Sequence, residues 1–177
     1  MSIDLTDAHA RMVTDVHLVM EQRANRNRNA SPEYDVQQLI ADFYEDWFRN
    51  TRYAVNREKS GKVDVVVFRD GNEAVLYELK TYFKATERIC LGPIEKDIKK
   101  LAKKKRTMPS CPIGYIMLAG RKKALGGRAV PSFVKAHLDN DRSYSVLPEL
   151  EGIRLRPSRK RVRNGATFVM TWEVLLE

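Results

Sequence analysis

The sequence predicts an α/β protein: a central mixed sheet flanked by helices, built as one domain over residues 1–177. Three observations predict it. Two stretches of helical period open the chain, at Thr6–Asn25 and from Ser31 onward. Three short stretches of strand period follow, at Arg52–Asn56, Val63–Phe68 and Val75–Lys80, divided by polar turns. The third of these strands, a helix and a wholly apolar strand then come in succession, the order that implies a parallel, right-handed crossover.

The elements follow in turn. Val13, Val16 and Met20 give the first helix an apolar stripe, and it trails into the polar breaker ANRNRNA. His9 and His17 lie on it without carboxylates at ligand spacing, so they read as surface or packing residues. In SPEYDVQQLIADFYEDWFRN, Ser31 is a natural N-cap with Pro32 at the first helical position. Val36, Leu39, Ile40, Phe43 and Trp47 then repeat at i, i+3, i+4 and i+7, and the aromatics read as core. RYAVN, VDVVVF and VLYELK are the three strands, with EKSGK between the first pair and RDGNE, an Asp-Gly turn, between the second. Pro93 opens a helix to about Lys105 with Ile94, Ile98 and Leu101 inward and its lysines outward. YIMLA (Tyr115–Ala119) is a buried strand closed by Gly120. A short helix at Pro131–Leu138 and strands near Ser143–Leu147, Gly152–Arg156 and Thr167–Leu176 complete the chain.

Composition narrows the class of function. Thirty-two Lys and Arg against 23 Asp and Glu leave a formal charge of +9, an excess that suits a polyanionic partner because neutralising phosphates releases counterions. Cys90 and Cys111 are the only cysteines and form no CxxC pair, which excludes a disulfide framework or a zinc site of the usual spacing. The opening MSIDLTDAHARM lacks the basic-then-apolar order of a secretory signal. No apolar run approaches the roughly 20 residues of a membrane helix. The expectation is a reducing, cytoplasmic setting with no membrane partner.

The chemistry concentrates in the second and third strands. Side chains alternate along a strand, so Glu78 and Lys80 of VLYELK share one face while Val75, Tyr77 and Leu79 share the other. A hairpin centred on Gly71 pairs Phe68 with Ala74, Val66 with Leu76 and Asp64 with Glu78. Two carboxylates directly opposite each other cost a few tenths to about 1 kcal/mol unless something compensates, and a hard divalent cation bridging them would compensate. Taken alone, the hairpin leaves two readings open, a catalytic site or the solvated face of a sheet.

Asp64 followed by Glu78-Leu79-Lys80 resembles the PD-(D/E)XK nuclease superfamily, although Val63 stands where that family commonly has proline. The resemblance covers residues 31–120, whose helix, three-strand meander, crossover helix and parallel strand follow the order of a restriction-endonuclease-like core (αβββαβ). Residues 1–30 would then be an N-terminal helical extension and residues 121–177 a basic, β-rich C-terminal one. By resemblance, Asp64 and Glu78 bind Mg²⁺ (or Mn²⁺ as substitute) with help from the Leu79 carbonyl, and Lys80 positions or activates the attacking water. Glu33, at the start of the second helix, is the candidate for a further acidic residue, although an acid there also complements the helix dipole. Glu45 is the fallback. The implied activity is a metal-dependent endonuclease acting on DNA. Cutting both strands of a duplex with one site per chain would favour a homodimer. The rival readings are a nucleic-acid-binding module that keeps the fold without cutting, or a DNA-binding subunit of a larger DNA-processing complex.

Three basic stretches are candidate DNA contacts. KKLAKKKR supplies Lys99, Lys100 and Lys103; GRKKALGGR, at the edge where open α/β sheets collect ligands, supplies Arg121, Lys122 and Lys123. RLRPSRKRVRNG, read as a loop, packs six basic residues and supplies Arg159, Lys160, Arg161 and Arg163. In the resembled family the DNA-facing side carries the carboxylates, so Lys84, Arg88 and Lys96 near the motif are further candidate DNA contacts. No zinc finger, helix-turn-helix or base-reading motif appears.

Overall fold

Apolar residues sort onto both faces of one seven-stranded sheet in the computed structural model, which describes residues 4–25, 33–49, 53–57, 63–84, 86–108, 110–139, 145–146, 150, 152–162 and 166–177. The helices are α1 (Leu5–Asn25), α2 (Glu33–Trp47), α3 (Leu91–Thr107) and α4 (Ser132–Asp139). The strands are β1 (Tyr53–Arg57), β2 (Val65–Arg69), β3 (Asn72–Tyr82), β4 (Ile113–Arg121), β5 (Ser145–Val146), β6 (Ile153–Arg161) and β7 (Thr167–Leu176). Their order across the sheet is β1-β2-β3-β4-β7-β6-β5. Only β3 and β4 run parallel, joined through α3; the other neighbours are antiparallel. The mixed α/β sheet flanked by helices is therefore present. The predicted Ser31 cap, Arg52 and the EKSGK turn lie outside the described residues.

Each face of the sheet has its own core. Met12, Val13, Val16 and Met20 of α1 and Val36, Ile40 and Tyr44 of α2 pack on Val65, Val67, Val75, Tyr77, Leu79, Tyr115 and Met117. On the opposite face Ile94, Ile98 and Leu101 of α3 and Phe133 and Val134 of α4 cover Val66, Leu76, Ile116, Leu118, Met170 and Trp172. Strands buried on both faces read as continuous apolar runs rather than alternating ones, which is why VVVF and YIMLA stand out. At Gly120 a side chain would meet the Tyr82 carbonyl at 2.5 Å, so glycine lets the ends of β3 and β4 close together.

The structure corrects several expectations. Asp70 and Gly71 both have positive φ, 51° and 77°, making a two-residue turn that pairs Arg69 with Asn72. That closure starts the ladder one residue off, so Phe68 pairs with Glu73 instead of Ala74, and an irregularity at Val67/Phe68 restores Val66 opposite Leu76. Asp64 lies in a bend before β2, not within it. β4 runs past Gly120 to Arg121. Trp47 is exposed rather than core, capped by the Arg11 guanidinium 4.9 Å from its ring, while Tyr44 takes the buried place. The strand expected near Gly152–Arg156 runs on to Arg161 as β6, so Pro157–Arg161 is strand rather than the expected loop: Ile153 and Leu155 bury their side chains, and β7 pairs with Ile153–Pro157 and, after a register shift, with Lys160 and Arg161. Arg163 lies outside the described residues.

His9 of α1 is a packing residue at the centre of the first core, 0% exposed. Its Nδ1 is 2.8 Å from the Tyr77 hydroxyl, its Nε2 is 3.1 Å from Thr171 Oγ1, and its ring stacks on Tyr115 at 3.8 Å. Burial drives its pKa down to about 3, with the Arg159 charge adding to the effect. Tyr77 also meets the Tyr44 hydroxyl at 2.6 Å, so one buried polar chain ties α1 and α2 to β3 and β7.

Candidate active site

The charged side chains of β3 face α3. Strand alternation sends Val75, Tyr77 and Leu79 into the α1/α2 core and turns Glu78 and Lys80 to the other face. That face is not wet at Glu78, which is 1% exposed. Glu78 Oε2 pairs with Lys100 Nζ at 2.8 Å, and Lys80 Nζ pairs with Asp97 Oδ2 at 2.8 Å. Asp97 and Lys100 stand three residues apart on α3, so they project from one helix face. The two strand residues and two helix residues thus pair acid to base in crossed order. The second carboxyl oxygen of Glu78, Oε1, is buried with no hydrogen-bond partner.

Asp64 reaches this group from the bend before β2. Its Oδ2 accepts the Leu79 amide hydrogen at 2.8 Å, which fixes the carboxylate beside β3 although Asp64 makes no strand pair. Leu79 thereby has a defined role through its N–H, while its side chain is buried on the far face. Glu33, in the first turn of α2, is half-buried, and the charges of Asp64, Lys80, Asp97 and Lys100 all act on it. The structure therefore brings Asp64, Glu78 and Lys80 together, with Glu33 near enough for the charges of Asp64 and Lys80 to act on it. Glu45 lies exposed on α2, three turns along from Glu33.

The electrostatics follow from crowding acids in a place with little water. Burial raises the Glu78 carboxyl from 4.5 to about 8; the Lys100 ammonium opposes the rise and the Asp64 charge adds to it. Burial also raises Asp64, against the Leu79 hydrogen bond and the lysines. Glu33 moves up for the same first reason, with the Asp64 charge reinforcing it. For Lys80, burial works against the charge, but the Asp97 hydrogen bond and the charges of Asp97, Glu33 and Asp64 prevail and its pKa rises. Among the described residues no three His, Cys, Asp or Glu side chains form a ready-made metal cluster. In this arrangement one oxygen of Glu78 is given to Lys100 and one of Asp64 to the Leu79 amide.

Asp97 is the site residue that sequence reasoning missed, and Lys100 the one it faced the wrong way. Both flank the inward stripe of Ile94, Ile98 and Leu101. Lys100, expected among outward lysines as a DNA contact, turns in because Glu78 is buried and needs a counter-charge. Lys105 also turns in, donating to the Val174 carbonyl at 2.6 Å. Lys96, Lys99 and Lys103 do face outward. Lys84, Arg88, Arg121, Lys122 and Lys123 are exposed around the carboxyl ends of the parallel pair β3 and β4. Arg88 approaches Gly127, bringing the two loops together. The β6 cations lie apart from the cluster, separated from β3 by β4 and β7. Lys160, expected as a DNA contact, donates its ammonium to the His137 and Leu138 carbonyls at 2.7 and 2.9 Å and closes the end of α4. Arg161 bonds Thr14 of α1, and Arg159 is exposed.

No family model matches the chain, and neither curated proteins nor solved structures give a significant match. No helix among the described residues is long and apolar enough to cross a membrane.

Proposed function

We propose that this protein is a divalent-metal-dependent endonuclease with a restriction-endonuclease-like core, hydrolysing DNA phosphodiester bonds. The reading rests on one observation above the others: the Glu78 carboxylate is buried beside Asp64 with one oxygen unpartnered. A buried carboxylate that shares its surroundings with a second one calls for positive charge. All the candidate donors, from Asp64, Glu78 and Glu33, are hard oxygens, the chemistry that Mg²⁺ or Mn²⁺ selects. A cation of that kind supplies a nucleophilic hydroxide near neutral pH and neutralises charge on the phosphate.

The chain's own residues then have distinct tasks. Asp64, fixed by the Leu79 amide, and Glu78 hold the cation. Lys80 keeps its proton through Asp97 and offers a positive group on the same face, suited to orienting the water and steadying the phosphate. The exposed cations Lys84, Arg88, Arg121, Lys122 and Lys123, around the carboxyl ends of β3 and β4, would meet the backbone of a long polyanion. Double-strand cutting would join two copies, one site each.

One observation favours a second reading. The crossed pairs Glu78–Lys100 and Lys80–Asp97 already balance the motif's charges, as they would in a nucleic-acid-binding module or complex subunit that does not cut. Incubation with supercoiled plasmid in Mg²⁺ or Mn²⁺ separates the two. Nicking or linearisation that disappears in Asp64→Ala and Lys80→Ala, with DNA binding retained, supports the endonuclease. Salt-sensitive binding with no cleavage in either metal sinks it in favour of the module.

A further inference from the structure

Resting on the metal site just proposed, we infer that Lys100 is a built-in counter-ion that competes with the divalent cation for Glu78. The argument is geometric. Glu78 is 1% exposed, so its charge has no recourse to water, and Lys100 Nζ meets it at 2.8 Å. Lys100 itself is 35% exposed, at the margin of the sheet-facing side of a helix whose Lys96, Lys99 and Lys103 face outward. Its four-carbon stem lets the ammonium leave Glu78 without moving the helix. Glu78 Oε1 has no hydrogen-bond partner, so Lys100 neutralises the carboxylate without satisfying both of its oxygens. A divalent cation would use that second oxygen, together with Asp64, and bring more charge than the ammonium it displaces. Lys80 is differently held: Asp97 keeps its ammonium in place, whichever cation Glu78 has. The crossed pairing therefore gives Lys80 an acid other than Glu78, so a change of cation at Glu78 leaves the Lys80–Asp97 pair in place.

Competition of this kind is a negative coupling between two cations at one acid, and removing one competitor tightens the other, by about tenfold for a coupling of ordinary size. Mn²⁺ titration by calorimetry, on the full chain, of the wild type, Lys100→Met and Asp64→Asn tests it. Lys100→Met should bind Mn²⁺ about tenfold more tightly than the wild type, and Asp64→Asn should lose binding. Thermal unfolding gives a second readout: Mn²⁺ should raise the melting temperature of Lys100→Met more than that of the wild type. Should Lys100→Met not fold without metal, Lys100→Gln carries the same expectation. Equal or weaker Mn²⁺ binding in the Lys100 variants, beside normal binding in the wild type, overturns the competition and leaves the metal site standing. Absence of Mn²⁺ binding in every variant, with no plasmid cleavage, overturns both.

Discussion

Replacing Glu78 with glutamine should make the protein more stable, most of all in mild alkali, while destroying the proposed activity. Burial raises the Glu78 carboxyl from 4.5 to about 8, Lys100 opposing and Asp64 adding. Between those values the folded chain holds a proton that the unfolded chain has released. Stability present in full below pH 4.5 is therefore lost as pH rises toward about 8. A tenfold difference in proton affinity is worth about 1.4 kcal/mol, so the ionised carboxylate withholds at most about 5 kcal/mol from the folded state. Glutamine abolishes that penalty and keeps the shape, but it forfeits the ion pair, and Lys100 returns its ammonium to water. Allowing for the lost pair, the net gain at about pH 8 should be about 2 kcal/mol. For a chain of this size that is a rise of about 4–8 °C in melting temperature. At about pH 5, where the wild-type acid stays protonated, the two proteins should agree within about 0.5 kcal/mol. Urea denaturation in EDTA at about pH 5, 6.5 and 8 measures the difference directly. A Glu78→Gln protein that is less stable at pH 8, or a difference that does not change with pH, would refute the account of Glu78 as a strained buried acid.

Three further outcomes follow from the same structure. Tyr77→Phe strips the hydroxyl that links His9 to Tyr44 and should cost about 1–3 kcal/mol in urea denaturation, since it leaves buried polar atoms unpaired. His9, whose pKa burial lowers to about 3, takes up a proton on unfolding below its ordinary 6.5, so stability should fall as pH drops through that window. Its imidazole NMR signals in the folded protein should stay unmoved from about pH 7.5 down to about pH 5, well above its folded-state titration. Replacing Arg121, Lys122 and Lys123 together by alanine should flatten the salt dependence of DNA affinity by about 3 in the slope of log K against log salt. An unchanged slope would place the DNA elsewhere.

Much of the fold was legible because burial on two faces writes itself as apolar runs, and the Asp-Gly turn marks its own hairpin. What escaped depended on partners distant in sequence. The alternation of Ile153 and Leu155 with Arg154 and Arg156 announces β6, but the following PSRKR has no buried apolar residues of its own. It is strand because β7 lies alongside it, and the register shift accommodates Pro157. Likewise nothing local says that His9 is buried. Its place is decided by Tyr77 and Thr171, 68 and 162 residues away. The hairpin bulge is a smaller case. A two-residue turn and a Val66–Leu76 pair cannot both hold without one extra residue, and that conflict was readable in the spacing.

The candidate site shows the same boundary between local and distant information. Alternation along β3 was enough to put Glu78 and Lys80 on one face, and the hairpin enough to bring Asp64 near. The character of that face was not available, because α3 supplies it: Asp97 and Lys100 become site residues only through the β3–α3–β4 crossover. The cost is instructive. Buried ion pairs are often no better for stability than apolar packing of the same volume, and here the pairing leaves a carboxyl oxygen unsatisfied and an acid pushed to about 8. Among the described residues the sheet meets its helices mostly through apolar residues, and at His9 through a ring with both nitrogens partnered, although Trp172 Nε1 is also buried without a hydrogen bond. A fold needing only stability would fill position 78 with another Leu or Val, as its neighbours do. The local conflict falls on the residue that the motif singles out, where a functional site is expected to depart from the rules that govern the rest of the core.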